Sequence, residues 1–243
     1  MKGIILAGGL GSRLYPLTYA TNKHLLPIYD KPMIYYPIQT LVRAGIKEIL
    51  IVVSGPHAGH FLPVVKNGKE FGIEHLEFAY QEKPNGGIAD ALALAKNFAD
   101  NKPITVILGD NTTDADISES AQSFTSGATI FLKKVTDPKR YGVPRFDEKD
   151  PTIIREIIEK PSTPPSDFAV TGLYMYDNTV FDVIKTCMPS ARGELEITDV
   201  NNAYIKKGSL RFAELDGYWL DAGTFDALYL ANQYWAHKKK SGN

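Results

Sequence analysis

A single cysteine, Cys187, stands in the whole chain. No intrachain disulfide can form, and a reducing compartment, the cytoplasm, is the expected setting. Long apolar runs are missing as well. The opening Met1-Lys2-Gly3-Ile4-Ile5-Leu6-Ala7 is too short for a signal peptide or a membrane span. No later run approaches the roughly 20 residues a spanning helix needs, so no membrane partner is expected. Neither sign of charge is in excess: 27 Lys plus Arg against 28 Asp plus Glu leave a net charge of -1. Nucleic-acid and anionic-membrane surfaces require a positive surplus, so a nucleic-acid partner is not expected either. A local basic site for a small phosphate ligand stays open. There is no internal repeat, linker or low-complexity stretch, and 243 residues are enough for one sizeable core.

What is present is alternation. Gly3 to Ala7 reads as a buried strand, and Met33 to Ala44 has helical apolar spacing (Ile34, Ile38, Leu41, Val42) ending at Gly45. Ile49 to Val53, Leu76 to Tyr80 and Ile104 to Leu108 are further strands, with helices expected over His57–Gly68 and Ile88–Phe98. Short strands alternating with helices imply βαβ units and a mostly parallel, Rossmann-like sheet. The strands are apolar throughout, as they must be when helices cover both faces. Ligands in such sheets sit beyond the carboxyl ends of the strands, which points to the loops after Ala7, Val53, Tyr80 and Leu108. The second half is mixed. Gly142 to Phe146 and Ile153 to Ile158 could pair as a hairpin, Phe168 to Tyr176 is a strand, and helices are expected at Val180–Lys185, Ile197–Lys206 and Phe225–Lys238. The last would carry Leu228, Ala231 and Trp235 on one face, and Lys238-Lys239-Lys240 reads as a solvated tail. The fold class is therefore α/β, one compact unit with an insertion in its second half.

The loop after the first strand, closing with Leu6 and Ala7, reads Gly8-Gly9-Leu10-Gly11-Ser12-Arg13. Glycines admit close backbone approach, and successive N–H groups can cradle phosphate oxygens. The Gly-Lys-Ser/Thr ending of a P-loop is absent. Arg13 follows instead, a permanent cation with a planar donor fork. Lys23, ten residues on, is a second candidate cation. Gln81, followed by Gly86 and Gly87, offers one acceptor and two donors that match a pyrimidine edge. Gly109-Asp110-Asn111 ends a strand where a carboxylate could hold Mg²⁺, a hard cation taking oxygen ligands. Asp221, in Trp219-Leu220-Asp221-Ala222-Gly223-Thr224, is the candidate second carboxylate. For either aspartate the bland alternative is a cap or a turn. Glu159-Lys160-Pro161 sets a hydroxyl acceptor beside a phosphate cation, and Ser190-Ala191-Arg192-Gly193-Glu194 offers another arginine. Tyr141-Gly142-Val143 and Val170-Thr171-Gly172-Leu173-Tyr174 could supply aromatic walls.

Together these segments, with Asn-Lys-His-Leu-Leu-Pro (22–27) and Arg192-Gly193-Glu194-Leu195-Glu196-Ile197-Thr198-Asp199, closely resemble the glucose-1-phosphate thymidylyltransferases over nearly the whole chain and in the same order. The resemblance implies a single nucleotidyltransferase domain over 1–243, with 1–110 mainly holding the nucleotide and 111–243 mainly the sugar phosphate. It implies dTTP plus glucose 1-phosphate giving dTDP-glucose and pyrophosphate, with Mg²⁺ as cofactor, on the way to dTDP-rhamnose and related sugars. Gly8, Gly9, Gly11 and Arg13 would hold the triphosphate with Lys23 beside it, and Leu6, Ala7, Ser12 and Asp110 would also belong to the nucleotide site; Gln81 with Gly86 or Gly87 would read thymine. Asp110 and Asp221 would bind the metal. Asn111, Tyr141, Gly142, Glu159, Val170, Tyr174 and Trp219 would line the glucose site, with Lys160 and Arg192 on its phosphate. The resemblance also implies a homo-oligomer. It is closest to the family's short form, without the C-terminal helices that help build a regulatory nucleotide site, so weak feedback inhibition is expected. Two departures stand out: a longer spacing from Gln81 to its glycines, and Thr112-Thr113 where relatives carry a bulkier apolar pair.

The expected chemistry is direct in-line attack of the sugar phosphate on the α-phosphorus. The nucleophile is already ionised, so no general base is needed, and charge neutralisation and alignment do the work. The rivals are a UTP-using or other sugar-1-phosphate enzyme, a non-catalytic sugar-nucleotide sensor, and a nicotinamide oxidoreductase. The last expects an acidic residue at the end of the second strand, which instead reads Val52-Val53-Ser54-Gly55.

Overall fold

A computed structural model describes residues 1–242. The chain opens with β1 (Lys2–Ala7), then runs through a long loop with a small hairpin of β2 (Pro27–Ile28) and β3 (Lys31–Pro32) into α1 (Tyr35–Arg43). There follow β4 (Glu48–Ser54), α2 (Phe61–Val65), β5 (His75–Gln81), α3 (Ile88–Ala93), α4 (Lys96–Ala99) and β6 (Ile104–Leu108). The second half continues with β7 (Asn111–Thr113), α5 (Ser118–Ser123), β8 (Ala128–Lys134), β9 (Gly142–Phe146), β10 (Ile154–Glu159) and β11 (Phe168–Tyr176). It closes with α6 (Val180–Thr186), α7 (Ile197–Lys206), β12 (Leu210–Glu214), β13 (Trp219–Asp221) and α8 (Phe225–Lys240).

Seven strands form one sheet in the order β12-β8-β11-β6-β1-β4-β5. β6 lies at its centre; β1 beside it is parallel to β4 and β6, and β5 continues the parallel set. Only β11 runs against its neighbours, β6 and β8, while β12 is parallel to β8. The apolar strands are explained by two cores. Ile4, Leu6, Leu50, Val52 and Val106 point to one face, covered by Leu92 and Phe98 and by Val180, Val200 and Tyr204. Ile5, Ala7, Ile49, Ile51, Val53 and Ile107 point to the other, under Ile34, Ile38, Leu41 and Phe61. Side chains alternate across a strand, so only a continuous apolar run supplies both cores. Each fully buried Ile, Leu or Val contributes roughly 1.5–3 kcal/mol.

Two features aim side chains at the carboxyl end of the sheet. The β11 pairing with β8 shifts register between Val170 and Tyr174, an irregularity of the kind that re-aims side chains. Beyond β6 the chain turns at Gly109-Asp110, and β7 pairs antiparallel with β13 so that Asn111 faces Asp221. This short ribbon carries the far end of the sequence back to the sheet.

The α8 face holds Leu228, Ala231 and Trp235 against Ile28, Met33, Tyr36 and Ala222, as the spacing predicted. Two helices differ from expectation. His57–Gly68 resolves into a tight turn at Ala58–His60 and α2, which stops at Lys66 in a left-handed conformation (φ 54°). Pro63 falls in the first turn of α2, where its missing N–H costs nothing. Ile88–Phe98 is split into α3 and α4, because Leu94 and Ala95 donate to carbonyls three residues back (Ala91 and Leu92), tightening the turn. The lysine run is not a free tail: α8 extends through it, with Lys238 paired to Asp114 and Lys239 to Asp30. Among the described residues no helix is long and apolar enough to cross a membrane.

Candidate active site

A cleft of about 510 Å³ opens over the carboxyl end of the sheet. One wall begins with the loop leaving β1. Gly9 (φ 89°) and Gly11 (φ 65°) hold left-handed conformations that favour glycine. Gly9 N donates to Ser54 Oγ at 2.8 Å and Thr18 Oγ1 to the Gly11 carbonyl at 2.8 Å, fixing the loop from both sides. Gly8, Gly9, Gly11, Ser12 and Arg13 all line the cleft, together with Leu6, Lys23, Gln81 and Gly87. The loop after Val53 supports this wall without entering the cleft; it lines a recess of about 130 Å³ behind Gly9.

Two expected members fall outside. Ala7 is fully buried among Ile5, Ile51 and Val53, so its side chain belongs to the core. Gly86 does not line the cleft; its N–H closes a turn on the Lys83 carbonyl and its own carbonyl accepts from Leu195. Of the two glycines it is Gly87 (φ 94°) that faces the cavity.

The two distant aspartates converge. The Ala222 N–H donates to the Asp110 carbonyl at 2.9 Å, locking the end of β13 to the turn after β6. A Cβ placed on Gly223 would lie 2.7 Å from Arg13 Nη2, 2.8 Å from Asp221 Oδ1 and 3.4 Å from Asp110 Oδ2. Three charged groups from three parts of the chain therefore surround one point, and only glycine leaves it free. Lys23 Nζ lies 2.5 Å from Asp110 Oδ2, so Lys23 is engaged with a carboxylate. Burial raises the Asp110 carboxyl, but the Lys23 ammonium outweighs it and holds the group well below the usual carboxylate range. Burial, and then the Asp110 charge, push the Asp221 carboxyl upward. His24, which the sequence reading passed over, lies beneath this pair. Burial and the Lys23 charge lower its pKa to about 3, leaving a neutral ring bonded through Nδ1 to Asn22 Oδ1 at 2.7 Å. Its ring also explains Gly109, where a Cβ would lie 2.7 Å from His24 Cδ2.

Among the described residues no three His, Cys, Asp or Glu side chains form a metal cage. The Asp110–Asp221 pair is a set of hard oxygen donors whose mutual repulsion a divalent cation would relieve. That donor set fits Mg²⁺, which keeps several waters and shares substrate phosphates.

The opposite wall rises from the second half. Gly142 pairs with Glu159 at the end of the β9–β10 hairpin, and Lys160 N donates to the Tyr141 carbonyl at 2.9 Å. Lys160 holds a left-handed backbone (φ 44°), a strain of about 1–2 kcal/mol in a non-glycine residue. Glu159 Oε2 accepts from Thr198 Oγ1 at 2.6 Å, so α7 fixes its direction. Asn111 joins the walls: its Oδ1 accepts from Trp219 Nε1 at 2.7 Å and Gly172 N at 3.0 Å, and its Nδ2 donates to Asp110 Oδ1 at 3.2 Å. Tyr141 meets Trp219 edge-on, with ring centres 5.5 Å apart. Val170 and Tyr174 are buried and line the floor. Arg192 lines the cleft, with Nη2 at 2.8 Å from Glu196, 3.6 Å from Glu159 and 3.8 Å from Glu194. Arg140 and Thr198 also line it, missed because a loop arginine and a helix-start threonine have ordinary structural uses.

The chain matches the nucleotidyl transferase family over residues 2–238. It is 45% identical over 240 residues to a glucose-1-phosphate thymidylyltransferase of Neisseria gonorrhoeae, covering 96% of this chain and 82% of that protein. A Mycolicibacterium smegmatis protein of the same name is 43% identical over 239 residues, again covering 96% and 82%. A crystal structure of a Bacillus anthracis protein assigned to that activity superposes with a TM-score of 0.90 at 47% identity, covering 96% of this chain and 94% of the other. A UDP-glucose pyrophosphorylase structure shares the fold with a TM-score of 0.84 at 24% identity, over 98% of each chain.

Proposed function

The chain belongs to the nucleotidyl transferase family, and from that premise we propose that it acts as a glucose-1-phosphate thymidylyltransferase, converting dTTP and glucose 1-phosphate to dTDP-glucose and pyrophosphate. The observation that carries this is the meeting of Arg13, Asp110 and Asp221 around one point beside Gly223. A glycine loop supplies backbone donors next to it, and a second wall supplies Lys160 and Arg192 opposite.

In this mechanism the N–H groups of the Gly8–Arg13 loop and the Arg13 guanidinium bind the triphosphate. Lys23 leaves Asp110 for the phosphates and stabilises the departing pyrophosphate. Lys160 and Arg192 hold the sugar phosphate, one of whose ionised oxygens attacks the α-phosphorus in line as the bond to pyrophosphate breaks. Glu159, held by Thr198, accepts from glucose hydroxyls, with Trp219 and Tyr141 walling the ring. Asp110 and Asp221 would hold Mg²⁺, which supplies Lewis-acid neutralisation of phosphate charge. Gln81 and Gly87 face the base. No nucleophilic side chain or general base is needed, since alignment and electrostatics provide the rate.

The test is pyrophosphate release across a matrix of dTTP, UTP, dCTP and ATP against glucose, galactose, mannose and N-acetylglucosamine 1-phosphates with Mg²⁺. The expected maximum is dTTP with glucose 1-phosphate. A UTP maximum would give the reaction to the sister activity, and no release from any pair would remove it.

A further inference from the structure

The base end of the cleft has a polarity fixed by a residue outside it. Gln81 closes β5 and is 3% exposed. Its Nε2 donates to Asp90 Oδ2 at 2.8 Å and to the Gly87 carbonyl at 3.3 Å. Both amide hydrogens are thus committed. An ionised carboxylate accepts and never donates, so Asp90 permits only one of the two amide orientations. The nitrogen must face α3 and Oε1 must face away from it. That oxygen stands beside the glycine loop, where a Cβ on Gly8 would lie 2.8 Å from it. Glycine at position 8 keeps it open. Gly86 takes on a purpose as well, since a side chain there would strike the Asp90 carboxylate. Asp90 itself does not line the cleft.

We propose that Asp90 is a positioning residue that makes Gln81 a pure acceptor, so that the cleft selects bases carrying N–H at N3. Thymine and uracil meet this demand. Cytosine does not, because its N3 is itself an acceptor and would face Oε1 lone pair to lone pair. The inference rests on the thymidylyltransferase reading and adds the source of its selectivity between pyrimidines. It also corrects the expectation that Gln81 reads two groups on the base edge, because its donors are already spent.

The experiment measures kcat/KM for dTTP, dUTP and dCTP with glucose 1-phosphate in wild type, Asp90→Asn, Gln81→Glu and the double variant, with Tm recorded for each. Calorimetric binding of the three nucleotides reads the same ratios without turnover. Wild type should prefer dTTP to dCTP by about 10³-fold or more, the scale of a lost built-in hydrogen bond. In Asp90→Asn the new amide can donate, Gln81 can turn over, and the dTTP/dCTP ratio should fall by about 10-fold or more. The dTTP/dUTP ratio should hold within about 3-fold, since one methyl is all that separates those bases. Gln81→Glu sets two carboxylates together and should lose about 10-fold or more on dTTP, while adding Asp90→Asn restores a donor and should recover most of it. An unchanged dTTP/dCTP ratio in a folded Asp90→Asn protein, an equal shift in dTTP/dUTP, or no recovery in the double variant overturns the proposal. Loss of turnover on every nucleotide by wild type, with binding ratios intact, would instead count against the transferase reading alone.

Discussion

The two walls of the cleft hold their lysines in opposite circumstances. On the glycine-loop side the Lys23 side chain is 14% exposed and lies 2.5 Å from Asp110, itself 8% exposed. On the opposite side Lys160 is 47% and Arg192 43% exposed, and Arg192 shares itself among three glutamates. Charges withdrawn from water interact several-fold more strongly than the same charges at a surface. On the first wall the Lys23–Asp110 pair is therefore assembled by the fold before any substrate arrives, and a phosphate must compete with a buried carboxylate for Lys23. The second is exchangeable, because a rim pair is worth only about 0–1 kcal/mol and a phosphate can replace a carboxylate on Arg192 at little cost.

That contrast is tested most severely at Asp110. Asp110→Asn keeps the shape and removes the charge, and kcat/KM should fall by about 10³-fold or more, the scale of losing a preorganised electrostatic group. Turnover within about 10-fold of wild type would detach the chemistry from the buried wall. Lys23→Met comes next, since it leaves a buried carboxylate without its counter-ion. Breaking a buried pair costs about 3–5 kcal/mol, a Tm loss of about 6–20 °C in a chain of this size. Mg²⁺ added without nucleotide should raise the Tm of this variant more than that of wild type by giving Asp110 another partner. Equal responses would show that Lys23 does not guard the carboxylate.

Arg192→Ala probes the other wall. Here Tm should stay within about 2 °C of wild type, as expected for an exposed pair. The KM for glucose 1-phosphate should rise about 10- to 100-fold while that for dTTP holds, since charge-assisted contacts to phosphate are strong. A Tm loss matching that of Lys23→Met would erase the difference between the walls.

How much of this was legible before the fold follows the same division. The central strands were readable because a parallel sheet demands apolar residues on both faces, and Ile104–Leu108 and Phe168–Tyr176 are found at their expected bounds. The loop glycines and Asp110 were readable because they sit where parallel strands end. Asp221 was a candidate by its place at the end of a short apolar stretch and by the family resemblance, not by any pattern linking it to Asp110. Its arrival beside Asp110 depends on the pairing of β7 with β13, a contact between segments more than a hundred residues apart in sequence, and periodicity holds no trace of it. The polar groups that orient others, His24, Asp90 and Thr198, were not readable, because their roles exist only through partners. The side chain of Ala7 was not placed by its sequence neighbours, for the converse reason. It adjoins the glycine loop in sequence, yet side-chain alternation turns it into the core.

The smallest effect asks whether the ribbon carrying both aspartates can be loosened from behind. Asp114 follows β7 and accepts from Tyr218 N at 2.7 Å through Oδ1, while Oδ2 meets Tyr234 and Lys238 on α8. Burial raises this carboxyl, but its bonds to Lys238 and Tyr234 outweigh burial and bring it below the ordinary range. A depressed folded pKa means stability that is present above the unfolded value and lost as pH falls through the folded one. Asp114→Asn should therefore lower Tm at neutral pH by about 2–4 °C, roughly 1 kcal/mol. The difference from wild type should shrink below about pH 4, where the unfolded carboxylate begins to bind a proton, and close as the folded group protonates. If kcat/KM at pH 7 stays within about 3-fold despite the lower Tm, the charges at Asp110 and Asp221 govern the reaction and the latch serves only the scaffold. A loss as large as that of Asp110→Asn would mean that the ribbon's exact placement, set from 114, matters as much as the carboxylates it carries.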